Sequence, residues 1–331
     1  MSRTAEILAK LRDLRVLVLG DICLDRWCWY DPSLAEASAE TGIPRTGVVR
    51  TIVTPGAGGT VANNLAALGV RRIDVLGVIG NDGFGSELRR AMTERGIVPD
   101  LLIESPDVVT FTYTKLINSL TDEEDLPRVD FVNTQPLPVE AERQVLAAVE
   151  KHWAVFDVVI VADQAETGAG GMVTAAVRDL VSRKAAESPE KVVWVDSRRR
   201  AELYRHVVLK PNRREAEDAC RRSMGVVDFH GLATETEARL LIVTHGERGA
   251  LVIQNGEEHW MPTRRVRAVD ICGAGDSFTA GAACAYRITG SGMEAARFGN
   301  LVASITVTKK GTGSASPEEV LAADTDMAAE A

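Results

Sequence analysis

Five short runs of Val, Ile and Leu, each closing on a small or polar residue, constrain this chain most. They are VLVLGD (residues 16–21), IDVLGVIG (73–80), DVVIVAD (157–163), KVVWVDS (191–197) and LLIVTHG (240–246). A strand with one buried face alternates apolar and polar residues. A near-continuous apolar run reads instead as a strand covered on both faces, as in a parallel sheet. Between the runs lie segments with helical spacing: TVANNLAALG (60–69), GSELRRAMTERG (85–96), PVEAERQVLAAVEKHW (138–153) and GMVTAAVRDLVSRKAAE (171–187). Several end in or near glycine, as helix C-caps do. Strands alternating with helices predict an α/β fold: a three-layer α/β/α sandwich around a mostly parallel central sheet.

Two segments interrupt the rhythm. Residues 26–55 and 109–133 carry β-branched and aromatic residues in short pieces, with Pro and Gly between them. They read as strands and loops outside the main sheet, forming a small β lid. ALVIQNGEEHWMP (250–262) reads as a hairpin turning at Asn255–Gly256. Residues 1–331 are read as one domain carrying this lid, and the Ala/Asp/Glu-rich tail after Ser316 as low in complexity with fraying ends.

A net charge of −9 argues against nucleic acid and anionic membrane as partners. The marked basic cluster is Arg198–Arg199–Arg200 with Arg205, Lys210, Arg213 and Arg214, which reads either as a solvated face or as a local anion site. Cys23, Cys28, Cys220, Cys272 and Cys284 are odd in number and contain no CxxC pair, which disfavours a disulfide framework and a zinc site. The opening MSRTAEILAKLRDLR is charged and amphipathic rather than a signal peptide, and no apolar run approaches the roughly 20 residues of a membrane span. These features predict a cytoplasmic protein.

Ligands of parallel α/β sheets bind at the carboxyl ends of the strands. Asp21 and Asp25, Asp163 and Gln164, Asn212, and Thr244 with Gly246 fall at such ends. Each alone is equally a turn or capping residue. DICGAGDSFTAG (270–281) offers more chemistry. Its glycines can expose backbone N–H groups, and the following helix adds its positive end, so together they would hold an anion. Asp276 would then stand beside that anion, kept ionised by the helix dipole. By itself the stretch is also fully explained as a capped glycine turn. The chain has no GxxxxGK[ST] and no GxGxxG at this loop, which disfavours a Walker-type NTPase and an NAD enzyme.

Taken together, the motifs resemble the ribokinase-like, PfkB-type carbohydrate kinases. DICGAGDSFTAG is similar to that family's C-terminal signature and GAGGTVANNLAALGV (56–70) to its N-terminal one. GDICLD (20–25), LKPNRREAE (209–217), VTHGERGALV (243–252) and GNLVASITVTKKGT (299–312) resemble further family motifs, in family order. The resemblance implies Asp276 as the base that takes the sugar hydroxyl proton, and the N–H groups of Gly273, Ala274 and Gly275 as the anion hole. It implies Asp25, Gly58, Gly59 and Asn63 as sugar contacts, and the strand-end position of Asp163 puts that residue at the rim of the same cleft. Asn212 and Glu215 are implied as organisers of water around Mg²⁺, and Thr244, Gly246, Gly249 and Asn300 as ATP contacts.

Within the family, GDICLDRWCWYDP and PRVDF (127–131) resemble heptose-7-phosphate kinases, and Arg128 or the 198–214 cluster could supply cations for such a substrate. ADQAETG (162–168) departs from the D-Y-x-K-G of those enzymes, placing Glu166 where a phosphate-holding lysine is expected. The lid stretch SLAEASAETGIPRTG also departs from their pattern. A kinase for an unphosphorylated sugar such as fructose or ribose is the second reading, and a non-catalytic sugar- or nucleotide-binding protein the third. Asp270 marks the family's K⁺ region, although Ile271 and Cys272 replace its threonine-rich approach. The open edge of a β lid predicts a homodimer.

Overall fold

The apolar runs become strands because their alternate side chains enter two different cores. In the computed structural model, residues 2–165 and 169–330 are described; Glu166 lies outside them. Helix α1 (Arg3–Leu11) leads into β1 (Arg15–Gly20), β2 (Ile22–Tyr30), β3 (Val48–Ala57) and α2 (Gly58–Ala67). Next come β4 (Arg72–Leu76), β5 (Val78–Gly80), α3 (Gly83–Thr93), β6 (Ile103–Ser105), β7 (Thr112–Asn118), β8 (Val129–Phe131) and α4 (Val139–His152). The second half holds β9 (Val158–Asp163), α5 (Ala175–Glu187), β10 (Val192–Ser197), β11 (Val208–Leu209), α6 (Arg213–Met224) and α7 (Phe229–Glu235). It closes with β12 (Leu240–Thr244), β13 (Ala250–Gln254), β14 (Glu257–Met261), α8 (Ala274–Thr289), α9 (Gly292–Thr306) and α10 (Pro317–Glu330).

The main sheet has eight strands in the order β14-β13-β12-β11-β10-β9-β1-β4. It is parallel from β12 to β4, and the β13–β14 hairpin runs antiparallel at one edge. Val16 and Val18 of β1, Val158 and Ile160 of β9, and Leu240 and Ile242 of β12 pack with α1, α2, α8 and α9. Their neighbours Leu17, Leu19, Val159, Val161, Leu241 and Val243 pack on the other face with α4, α5 and α6. Each such side chain contributes about 1.5–3 kcal/mol on burial. Polar groups are thereby driven from the strand middles to the strand ends. This is the expected three-layer α/β/α arrangement.

The lid is a second sheet in the order β3-β2-β7-β8, and it contains both expected segments. β2 pairs antiparallel with β3 and parallel with β7. The hairpin turns where expected, with Asn255 at φ 55° and Gly256 at φ 79°, the paired left-handed residues that tight hairpins favour.

Three readings change. The run 73–80 is two strands, because the chain breaks at Gly77, where a Cβ would lie 2.7 Å from Ile22, and Val78–Gly80 pairs with β6 instead. The helix expected from residue 171 begins at Ala175, capped by the Thr174 side chain. The tail is helix α10, which buries Val320 and Ala323 against the core.

Ala57, at the entry to α2, has φ 52° and ψ −124°, a backbone state that a Cβ disfavours by about 1–3 kcal/mol. Ala57→Gly is expected to raise stability by about 1 kcal/mol after the extra unfolded-chain entropy of glycine is counted. Urea denaturation checks this, and an unchanged or lower midpoint contradicts it.

Candidate active site

The carboxyl ends of five neighbouring strands supply the polar groups of one region. Asp21 follows β1, Gln164 follows β9, Asp196 lies at the end of β10, Lys210 follows β11 and Thr244 ends β12. The glycine loop and the first turn of α8 lie among these groups.

Gly273 takes φ 77° and caps α8. The Ala274 N–H, expected in the anion hole, donates instead to the Ile271 carbonyl at 3.2 Å. The N–H groups of Gly275 and Asp276 lie in the first turn of the helix, where an α-helix supplies no acceptor of its own. A buried ammonium joins them: Lys210 is 3% exposed, and its Nζ lies 3.8 Å from where a Cβ on Gly275 would be. Lys210 pairs with Asp196 at 3.0 Å, and Asp196 also accepts from the Thr279 hydroxyl at 3.1 Å. Burial works to lower the Lys210 pKa, but Asp196, Glu215 and Asp276 together outweigh it and hold the ammonium above its usual range. Lys210 is therefore not part of a solvated basic face. Others in that cluster are also engaged: Arg200 with Asp163, and Arg213 with Glu217.

Asp276 keeps some contact with solvent but is packed around by protein. Burial, reinforced by Asp196, pushes its pKa up to about 6, against the hydrogen bond from Gln164 and the charges of Lys210 and Arg198. The helix dipole was expected to keep this carboxylate ionised and weakly basic. Desolvation wins, and Asp276 is a stronger base than that expectation allows.

Asp25 projects from β2 in the lid. Burial raises its pKa to about 6, while the Cys23 thiol, Lys115 and Arg128 oppose the rise. Its cross-strand partners are Thr54 and Tyr113, and Tyr113 pairs in turn with Asp130. Arg128 lies over the Tyr113 ring at 4.9 Å and bonds Asp130 at 2.9 Å. The lid reaches the turn behind the glycine loop: Lys310 bonds Asp122, and Trp27 lies 3.8 Å from where a Cβ on Gly311 would be. Gly58 and Gly59 are buried at the start of α2, where a Cβ would meet Ile22 at 2.7 Å and Pro55 at 2.6 Å respectively. Asn63 is half-buried one turn further on, and among the described residues its side chain makes no hydrogen bond. In the first turn of α2, the buried Thr60 packs its methyl 3.3 Å from where a Cβ on Gly273 would be.

Several expected site residues have other work. Asp163, expected at the sugar rim, is 2% exposed, and its carboxylate is taken by Arg200 at 2.6 Å, Ser197 at 2.7 Å and Tyr204 at 3.1 Å. Asp270, expected to mark a K⁺ site, accepts from the N–H groups of Cys272 at 2.9 Å and Gly311 at 3.1 Å, so it pins the glycine loop to the 307–313 turn. Among the described residues no group of three or more His, Cys, Asp or Glu could hold a metal. Asn212 and Glu215 form a capping box on α6: Glu215 N–H donates to Asn212 at 3.0 Å, and Asn212 N–H donates to Glu215 Oε2 at 2.8 Å. Burial raises the Glu215 pKa, and Lys210 opposes that rise. The charge of Glu215 thus faces the Lys210–Asp196 pair.

The remaining expected nucleotide contacts cluster around β12 and β14. Thr244 bridges to Asn212. Gly246 opens the turn after β12 at φ 61°, and Gly249 closes it at φ 110°, with a Cβ position only 2.1 Å from the Met261 carbonyl. Asn300 is buried on α9 and donates to the carbonyls of Met261 and Pro262 at 3.4 Å. Asp196 was not anticipated as a site residue, and Lys210 only as one member of the basic cluster. Both had a visible signal, a charged residue at the carboxyl end of an apolar strand, in KVVWVDS for Asp196 and directly after VVL for Lys210.

A family model described as pfkB family carbohydrate kinase matches residues 23–319. The chain belongs to this family and is a phosphotransferase with an alcohol group as acceptor; the family implies ATP as the phosphoryl donor. It is 32% identical over 327 residues to the bifunctional protein HldE of Geotalea uraniireducens, across 96% of this chain and 64% of that protein. To the HldE of Trichlorobacter lovleyi it is 31% identical over 319 residues, across 94% of this chain and 62% of that protein. The chain thus spans less than two-thirds of the length of these relatives. Escherichia coli phosphofructokinase-2, solved in complex with potassium, superposes with a TM-score of 0.73 at 18% identity, covering 95% of this chain and 99% of that one. Thermotoga maritima ribokinase gives 0.67 at 21% identity, covering 94% and 99%. These neighbours establish the ribokinase-like fold. No described helix is long and apolar enough to cross a membrane.

An acid whose pKa is higher folded than unfolded binds more protons when folded, so it loses stability as pH rises between the two values. For Asp276 that window runs from 3.8 to about 6. Asp276→Asn is therefore expected to melt above the parent at pH 7.5, by on the order of 1 kcal/mol in stability, with the difference gone near pH 4. Melting curves at both pH values check this. A variant no more stable than the parent at pH 7.5 contradicts the burial cost assigned to this carboxylate.

Proposed function

We propose that this chain transfers the γ-phosphate of MgATP to a hydroxyl of heptose 7-phosphate, with Asp276 as general base. The observation that carries the catalytic part is the meeting of Asp276, the first turn of α8 and Lys210 at one place. Asp276 takes the proton of the attacking hydroxyl. The N–H groups of Gly275 and Asp276, with the Lys210 ammonium, stabilise the negative charge on the transferred group. Such transfers depend mainly on positioning and electrostatics, so a base titrating near 6 suffices. Asp25 orients the sugar from the lid, and the lid keeps water from competing as acceptor. Mg²⁺ fits this donor set: it is commonly held by phosphates and water with one or two carboxylates, and Glu215 beside Lys210 is the carboxylate that would order that water. Thr244, Gly246, Gly249 and Asn300 shape the nucleotide end. We read the whole chain as one catalytic unit in a cytoplasmic homodimer formed through the lid edge.

The HldE relatives favour a heptose phosphate. One observation favours the second reading, an unphosphorylated sugar such as fructose or ribose: the cations facing Asp25 already have anionic partners, Arg128 with Asp130 and Lys115 with Glu124 at 3.8 Å. A coupled ADP-formation screen over free and phosphorylated sugars separates the two. Heptose 7-phosphate is expected to give the highest kcat/KM, and Asp276→Asn to lower turnover at least a hundredfold with nucleotide affinity little changed. Stimulation by free hexoses alone rejects the heptose phosphate, and undiminished turnover in Asp276→Asn removes that residue from the mechanism.

A further inference from the structure

Among the described residues Asp276 has one uncharged side-chain hydrogen-bond partner, Gln164, at the end of β9. Gln164 Nε2 donates to Asp276 Oδ1 at 3.0 Å. A glutamine side chain is mobile when left alone, and this one is anchored at its own backbone. The Gln164 N–H donates to Asp21 Oδ2 at 2.8 Å, and the Ala165 N–H to the same oxygen at 2.7 Å. The Met172 N–H donates to the other oxygen, Asp21 Oδ1, at 2.8 Å. Asp21 is itself 5% exposed and held in place by the main chain: its N–H donates to the Ala162 carbonyl at 2.9 Å, and its carbonyl accepts from Gly58 N–H at 3.0 Å. A buried carboxylate between β1 and β9 thus fixes the residue that touches the base.

We propose that Gln164 is a positioning residue for the Asp276 base, held in place by Asp21. By donating to Oδ1 it fixes the plane of the carboxylate and leaves Oδ2 as the oxygen that receives the hydroxyl proton. The side-chain amide has no proton to give up at neutral pH, so it orients the base without competing for the proton. The proposal rests on Asp276 being the base. The charged and titratable groups facing Asp276 are Asp196 at the end of β10, Arg198 just after it, Lys210 after β11, Cys272 in the glycine loop and Cys23 on β2. Among its neighbours, Gln164 is the uncharged side chain whose hydrogen bond lowers the Asp276 pKa.

The test follows the Asp276 carboxyl carbon by NMR in ¹³C-aspartate-labelled protein, its resonance identified by its loss in Asp276→Asn. This arm needs no sugar. The titration midpoint is expected near 6 in the parent, higher in Gln164→Leu, and higher still in the near-isosteric Gln164→Glu, which puts a second carboxylate against the first. The second arm measures turnover with MgATP and heptose 7-phosphate. Both variants are expected to lose about tenfold in kcat with KM changed less than about twofold, and the acid limb of the pH profile is expected to move up with the midpoint. A midpoint that stays put in both variants overturns the role of Gln164, whatever the turnover. If it stays put while Asp276→Asn is inactive, the base stands and Gln164 alone is dismissed. If it moves while Asp276→Asn still turns over, the base assignment falls and the positioning role falls with it.

Discussion

Burial of the central strands on both faces is the constraint from which the rest follows. A strand such as β9 sends Val158 and Ile160 into one core and Val159 and Val161 into the other, and so has no solvated face for a polar side chain. Chemistry is confined to the ends. Because the strands from β12 to β4 are parallel, their carboxyl ends lie on one side, and five of the six deliver a group there: Asp21, Gln164, Asp196, Lys210 and Thr244. Helix α8 then brings its positive end and Asp276 to the same place.

Crowding polar groups at that edge costs stability, and the costs differ in kind. Lys210 and Asp196 satisfy each other, so the pair is neutral overall and removal of either partner alone leaves a buried charge. Asp163 is likewise neutralised by Arg200. Among the described residues Asp21, Asp25 and Asp276 are in no direct ion pair, and burial lifts each to about 6 although cations near Asp25 and Asp276 oppose the rise. Asp21 accepts from three backbone N–H groups, those of Gln164, Ala165 and Met172. Asp25 on the lid and Asp276 on the helix are each half-buried rather than sealed, and carboxylates with pKa values raised by burial are the kind of group retained for a substrate.

Much of the fold was legible because it rests on local rules. The apolar runs, the helical spacing, the Asn255–Gly256 turn and the two lid segments needed no knowledge of distant residues. The glycine loop and Asp276 were legible as a motif. What the sequence concealed depends on partners far along the chain. Asp163 looks like a strand-end ligand until Arg200 closes on it, and nothing local to Asp270 shows that it accepts from the Gly311 N–H. Lys210 looks like a member of a basic surface run until β11 carries it inside. The break at Gly77 arises from Ile22 passing close by. Asn212 and Glu215 satisfy a helix-capping pattern, and only the approach of Lys210 and Asp196 connects them to the cleft.

On the proposed function, the glycine loop, Lys210 and Asp276 move a phosphoryl group to a sugar hydroxyl. The direct measurement is ³¹P NMR of purified protein with MgATP and heptose 7-phosphate, run in parallel with free hexoses. The account predicts a new phosphoester resonance that grows in step with ADP and is absent with Asp276→Asn. ADP accompanied only by inorganic phosphate, with every sugar resonance unchanged, would contradict it.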